Sequence, residues 1–325
     1  MSADSTLTGG ALSTRGVIHD RGYRRYDGPR LGRVQIVRAL LWHSFRSALG
    51  IGRGPKAKII PVIAFVAICL PAVINAVAVA RGGAQVVGYE SYLFPLRVIV
   101  LTVFVAVQAP ELVSRDLRSR VLPLYFSRPM RRGDYPLAKY LAFTAACLLL
   151  IDLPLLLLYL GSIASSKSNG IWPNTRGLLA GLAIGLMWAV LVAAIGLAIA
   201  SLSGRRAYAT GAVAIFFFLT LILSQIIQQV AQRGPQIAQR GPAGPIITPQ
   251  TTLPAGQRLA GLISPFNTLE GITKWFAGYG HAFQDGSGQV PDPGSYAPAY
   301  IVMFVALLAV SFAILAARYR KADVA

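Results

Sequence analysis

Six long apolar runs leave few ways to fold this sequence. They cover Ile59–Ala80, Phe94–Ser114, Leu137–Leu160, Gly177–Leu202, Ala207–Val230 and Ala299–Ala317. At about 1.5 Å per helical residue, each is long enough to cross the ~30 Å hydrocarbon layer of a bilayer. No water in that layer satisfies stray backbone N–H and C=O groups, so runs of this kind span as helices. The expected fold class is all-α integral membrane, with six transmembrane helices. Only 13% of the residues are charged, against about 25% in soluble domains. A formal net charge of +19 therefore does not point to nucleic acid, because the basic residues flank the apolar runs, where topology and anionic headgroups account for them.

Orientation follows from Glu111–Tyr140, which lies between the second and third runs. It carries Arg115, Arg118, Arg120, Arg128, Arg131, Arg132 and Lys139 against Glu111, Asp116 and Asp134. A basic excess on a short loop beside apolar spans marks the cytoplasmic side. Arg205, Arg206, Arg318, Arg320 and Lys321 fall on the same side, and an even span count puts both termini there. The expected organisation is a cytoplasmic tail and amphipathic helix over 1–58, a six-span domain over 59–317 with an outer segment at 231–298, and a cytoplasmic tail over 318–325. Residues 1–29 are polar and lack the apolar core of a cleavable signal peptide.

Within the basic segment sits an apolar turn, Val121–Phe126, followed by Ser127, Arg128 and Pro129. Apolar residues rimmed by charge mark a partner surface or a dip into the lipid interface. An acidic residue, a short apolar run, Ser-x-Pro and a lysine opening the next span resemble the loop between spans two and three of type-2 ABC transporter permeases. Asp116, Leu122, Leu124, Ser127, Pro129 and Lys139 fall at matching positions. Arg120-Val121 and Pro123 stand where the family often has Gly-Thr and Glu.

The resemblance implies a coupling helix that docks on an ATPase, involving Asp116, Leu122, Leu124, Tyr125, Phe126, Ser127 and Arg128. It further implies two ABC ATPase subunits and a second permease copy or paralogue, with ATP and Mg held by the ATPases, and a seam between permeases on spans one and five. An exporter permease in the cell membrane is the expected function. An ion-coupled secondary transporter using Asp152 is the alternative.

Between Arg30 and Gly50, Val34, Val37, Leu41, Phe45 and Leu49 recur at helical spacing, with Arg33, His43 and Arg46 elsewhere on the wheel. Arg38 lies close to that stripe and has to snorkel or find a partner. An interfacial amphipathic helix fits, either a plain anchor or, by the resemblance, an elbow helix touching the ATPase. Gly50, Gly52, Gly54 and Lys56 mimic a phosphate loop, but Pro55 follows Gly54 and no hydroxyl follows the lysine, so the motif is incomplete. No nucleotide or other cofactor is expected on this chain. No catalytic motif appears either: His19, His43 and His281 lie far apart, and Cys69 and Cys147 each sit inside an apolar run as small hydrophobes.

The fourth run carries Gly177, Gly181, Gly185, Ala189 and Ala193 at four-residue spacing, a smooth ridge that lets helices approach closely in lipid. Ala207 and Gly211 begin a weaker ridge in the fifth. The polar residues deepest in the runs are Asn75, Gln108 and Asp152, with Arg97 near the outer end of the second run. An intramembrane charge is costly. An internal Arg97–Asp152 ion pair explains both charges, and a proton or substrate site is the other reading. In the outer segment, Arg233–Pro254 is rich in Gly, Pro and Gln and is expected to be irregular. Leu259–Ala277 is apolar, broken at Pro265, with Phe266 following and Trp275 and Phe276 as interface anchors. It resembles the partly re-entrant helices that cap the exit in type-2 ABC permeases, so Pro265, Phe266 and Trp275 are expected in an outer cap. An ordinary outer loop is the other possibility.

Overall fold

The structure is a computed structural model that describes residues 28, 32–81, 94–119, 125, 130–131, 133–164, 171–232, 239–241, 244–246, 255–277 and 294–321. Every element below lies in a unit spanning Gly32–Ala325. Helix α1 is Arg33–Ala48, α2 Pro55–Ala80, α3 Phe94–Leu112, α4 Ser114–Arg118, α5 Asp134–Ala164, α6 Ile171–Leu202 and α7 Arg206–Gln232. After them come strands β1 (Gln239–Gly241) and β2 (Gly244–Ile246), then α8 (Ala255–Ala260), α9 (Pro265–Ala277) and α10 (Ala297–Lys321).

Among the described residues, six helices are long and apolar enough to cross a membrane: α2, α3 with α4, α5, α6, α7 and α10. They coincide with the six apolar runs, and several continue beyond them. Thus α5 starts at Asp134 and ends at Ala164 rather than running from Leu137 to Leu160. Helical hydrogen bonds persist past the apolar stretch until something ends them. Helices α3, α5 and α6 form the buried middle of the bundle, while α2, α7 and α10 lie around it and leave apolar faces exposed. Helices α2 and α5 pack closely at Gly161, where a Cβ would strike the Cα, Cβ and carbonyl oxygen of Ala76.

Helix α1 packs on the beginning of α5 through Leu40, Ser44 and Ala48, one line at four-residue spacing, flanked by the half-buried Val37, Leu41 and Phe45. Val34 is exposed, so the buried face is turned from the expected stripe towards Leu40. Arg38 is exposed as well and needs no internal partner. The glycines that mimic a phosphate loop build the turn into α2 instead. Gly50 adopts φ 73°, Ile51 N–H donates to Arg46 O at 2.8 Å and Gly50 N–H to Ser47 O at 3.0 Å. That is the paired hydrogen-bond pattern which closes a helix on a left-handed residue. A Cβ on Gly50 would also lie 2.7 Å from Ala57 O.

The segment expected to be irregular contains an antiparallel ladder, with Gln239 opposite Ile246, Arg240 opposite Pro245 and Gly241 opposite Gly244. Two residues separate the strands, the commonest hairpin loop length.

Candidate functional site

The end of the bundle that carries the Arg-rich segment is stitched together by polar contacts between elements distant in sequence. Arg33 of α1 holds Asp134 of α5 through two hydrogen bonds, from Nε and Nη2, each 2.6 Å, and Arg131 N–H adds a third at 2.9 Å. A bidentate guanidinium–carboxylate pair fixes direction as well as distance. Glu111 of α3 is buried and pairs with both Arg53, from the α1–α2 turn, and Arg206, at the start of α7. Ser114 Oγ donates to Ala200 O at 2.8 Å, and Arg318 Nε of α10 donates to Ser201 O at 3.1 Å. The Arg53 guanidinium is pushed below its usual pKa by burial first, then by the charges of Arg115 and Arg206. Positive charge is in excess here even with Glu111 in place.

Asp116 of α4 lies at the centre of this end. Lys139 Nζ is 2.9 Å from its carboxylate, and Tyr135 donates its hydroxyl to the same oxygen at 2.5 Å. The Tyr135 ring contacts Tyr319 of α10 and, on another side, Tyr125, with ring centres 5.4 and 5.3 Å apart. Tyr125 is the described residue of the apolar turn, and it is half-buried against its own bundle. Leu122, Leu124, Phe126, Ser127 and Arg128 lie outside the described residues. So does Pro129.

The other half of the bundle holds a second group of buried charges. Arg97 is buried, its guanidinium stacked 4.3 Å from the centre of the Trp188 ring of α6. No ion pair joins Arg97 to Asp152 among the described residues, which corrects the expected direct pair. Instead two carboxylates, Glu270 of α9 and Asp152 of α5, share the buried group around Arg97. The reason is packing. Helix α6 places Trp188 against the guanidinium, α9 brings in Glu270, and Asp152 rests where a Cβ of Gly185 would be. Gly185 is thus required on the small-residue ridge of α6, whose Gly181, Ala189 and Ala193 are also buried. Asn75 and Gln108 do not join this group. Gln108 lines a cleft at the basic end, and Asn75 lies on α2 next to Ala76, with its Oδ1 buried and without a hydrogen-bond partner among the described residues.

Part of the stretch 255–277 packs into the bundle. Phe266 is fully buried with its ring 5.5 Å from Trp188 and 5.1 Å from Phe217, both about halfway along their helices. Pro265 opens α9 at the first helical position, where a missing N–H matters least. Side chains satisfy backbone carbonyls of this turn, which are shielded from water. Ser224 Oγ of α7 donates to Ala260 O at 2.7 Å, Asn267 Nδ2 donates to Ser224 Oγ at 2.7 Å, and Tyr300 donates its hydroxyl to Arg258 O. Gly261 and Gly271 have no side chain where the Tyr300 ring lies. Trp275, at the far end of α9, is 45% exposed.

Sequence reasoning missed Glu270, Trp188 and the Arg53–Glu111–Arg206 bridge. Glu270 carried a usable signal, since it is the one carboxylate within an otherwise apolar or uncharged stretch from Leu259 to Thr273.

A comparison with curated proteins finds no match. The family described as ABC-2 family transporter protein matches residues 70–324, which takes in all the helices from the second half of α2 onwards. Six apolar helices, an Arg-rich end tied to α5 and a match over most of the chain agree: this chain belongs to the ABC-2 transporter family and is a membrane-spanning ABC transporter permease.

Proposed function

We propose that the chain is the permease subunit of an ATP-driven exporter, driven by separate ATPase subunits that dock at its basic end. The observation that carries this reading is the Asp116–Lys139 pair. It closes the loop between α4 and α5 at its base, while Tyr125 rests on Tyr135. A push on the turn at 121–129 then reaches α5 directly, and through Tyr135 and Tyr319 it reaches α10. Helix α1, bound to Asp134 at the same end, offers a second lever. The basic end faces the cytoplasm of the cell in which the protein spans the membrane, and both termini lie there.

Two ATPases and two permease copies form the working unit, with the seam on the exposed faces of α2 and α7. ATP and Mg²⁺ belong to the ATPases, and this chain contributes the pathway rather than the hydrolysis. Family membership speaks against an ion-coupled carrier, and Asp152, packed on Gly185 within reach of the Arg97 charge, has a structural duty. The test is affinity purification of the full chain from its own membranes, followed by an ATP hydrolysis assay. Recovery of an ABC ATPase with nucleotide turnover supports the reading, and recovery of the permease alone under mild detergent refutes it.

A further inference from the structure

A cleft of 630 Å³ opens at the basic end between the α1–α2 turn, α3 and the start of α7. Arg53, Lys56, Arg115 and Arg206 line it, with Glu111 the one carboxylate among its lining residues. Four cations against one anion give an unbalanced positive concavity that the Glu111 bridge only partly neutralises. Helix α2 begins in the same wall with Gly54 as its N-cap and no side chain capping it, so its positive dipole end adds to the field. A further observation points to a ligand. Gln108 reaches this cleft from α3, is 2% exposed, and its Oε1 has no hydrogen-bond partner among the described residues. A buried acceptor of this kind calls for a donor, and the surrounding guanidinium groups call for an anion.

The walls above the charges are apolar. Ala57, Ile60 and Val107 line the cleft, and α2 and α7 continue from it with Ile59, Ile63, Tyr208 and Ile215 exposed. A compact anion with a hydroxyl, joined to hydrocarbon chains, matches each of these parts. We propose that this cleft binds the headgroup of an anionic phospholipid bearing a hydroxyl, of the phosphatidylglycerol type. Its phosphate lies among Arg53, Arg206 and Lys56, its headgroup hydroxyl donates to Gln108, and its acyl chains lie along α2 and α7. Gly52–Ala57 precede the stretch matched by the family, so this part of the cleft belongs to this chain's own N-terminal region. The site does not depend on the docking of an ATPase.

The test uses the purified full-length chain in a neutral detergent, titrated with phosphatidylglycerol, phosphatidic acid, phosphatidylcholine or inorganic phosphate, with bound lipid counted by native mass spectrometry. Phosphatidylglycerol should bind about tenfold more tightly than phosphatidylcholine, since several basic side chains each add to the attraction. Arg206→Gln should weaken it several-fold. Lys56→Gln should do the same, and Lys56 is exposed and in no ion pair among the described residues, so its loss leaves the fold intact. Gln108→Leu should erase the preference for phosphatidylglycerol over phosphatidic acid. Arg320→Gln, at the same end but outside the cleft, should change nothing. Equal losses at Arg320 and Lys56 would reduce the effect to general surface charge and overturn the site. Inorganic phosphate binding as tightly as the lipid would overturn the lipid as its occupant.

Discussion

Lys139 of α5 and Asp116 of α4 meet at 2.9 Å, both largely out of solvent, across a stretch of sequence that carries Arg120, Arg128, Arg131 and Arg132. The pair turns a sequence motif into a mechanical joint. Removing one partner strands the other, at about 3 kcal/mol for a buried charge. Asp116→Asn and Lys139→Met should therefore each lower the thermal midpoint of the purified permease, and the double variant should lose less than the sum. Additive losses in that cycle would mean the two side chains do not act together. Tyr135→Phe removes one hydrogen bond to the same carboxylate and should cost only about 1 kcal/mol.

The glycines separate into those that touch a neighbour and those that do not. At Gly161 an added methyl meets backbone atoms of Ala76, which cannot rotate away. Gly161→Ala should therefore destabilise by about 1–3 kcal/mol, the usual cost of overpacking. Gly211 has nothing within 4 Å of its Cβ position. There Gly→Ala should be neutral or stabilise by up to about 1 kcal/mol through helix propensity. Parallel unfolding curves in detergent decide this, and equal losses at both sites would contradict the close α2–α5 crossing. If α7 forms the seam with a second permease copy, Gly211→Leu should disturb assembly while leaving the monomer's unfolding unchanged.

How much was visible beforehand depends on the range of the interaction. The six spans were legible because apolar length and flanking charge are local properties of the chain. The ridge of α6 was legible because helical spacing alone puts Gly181, Gly185 and Ala189 on one face. The partner of that ridge was not, since Asp152 resting on Gly185 depends on how α5 crosses α6. The Arg97–Asp152 pair failed for the same reason. It assumed that consecutive spans face each other, whereas Trp188 of α6 lies against the guanidinium and Glu270 arrives from a helix far along the chain. Pro55 already ruled out a phosphate loop at Gly50–Lys56, but the turn that Gly50 and Gly52 build there shows only in their positive φ angles.

The Arg97 group yields a third prediction. Glu270 of α9 shares the buried group around Arg97, and it is 1% exposed with Oε2 unpartnered among the described residues. Glu270→Gln should loosen α9 from the bundle, and protection of residues 265–277 in hydrogen exchange should fall, while α2 is unaffected. Asp152→Asn should have the smaller effect on α9, since its second contact is with Gly185 on α6. If Asp152→Asn instead exposes α9 and Glu270→Gln does not, α9 is not held to the bundle through Glu270.

The last prediction concerns the apolar turn itself. Tyr125 is held by Tyr135 of its own bundle, so Tyr125→Ala should weaken both the fold at that end and any docking. Leu124 and Phe126 are the residues to change if docking is to be read alone. A carboxylate placed there would lie unpaired in the ATPase cleft, at a cost of several kcal/mol, roughly 2–7 by transfer scales for polar groups and more for a charge. Leu124→Asp and Phe126→Asp should thus reach the membrane at normal levels, because the spans are untouched, yet lose the co-purifying ATPase by a factor of ten or more, ~1.4 kcal/mol per decade. Arg118→Gln, on the exposed rim, should instead slow association and change its salt dependence with little effect on the final complex. Full ATPase recovery with both aspartate variants would leave the turn as a lipid-interface anchor and move the docking surface to α1.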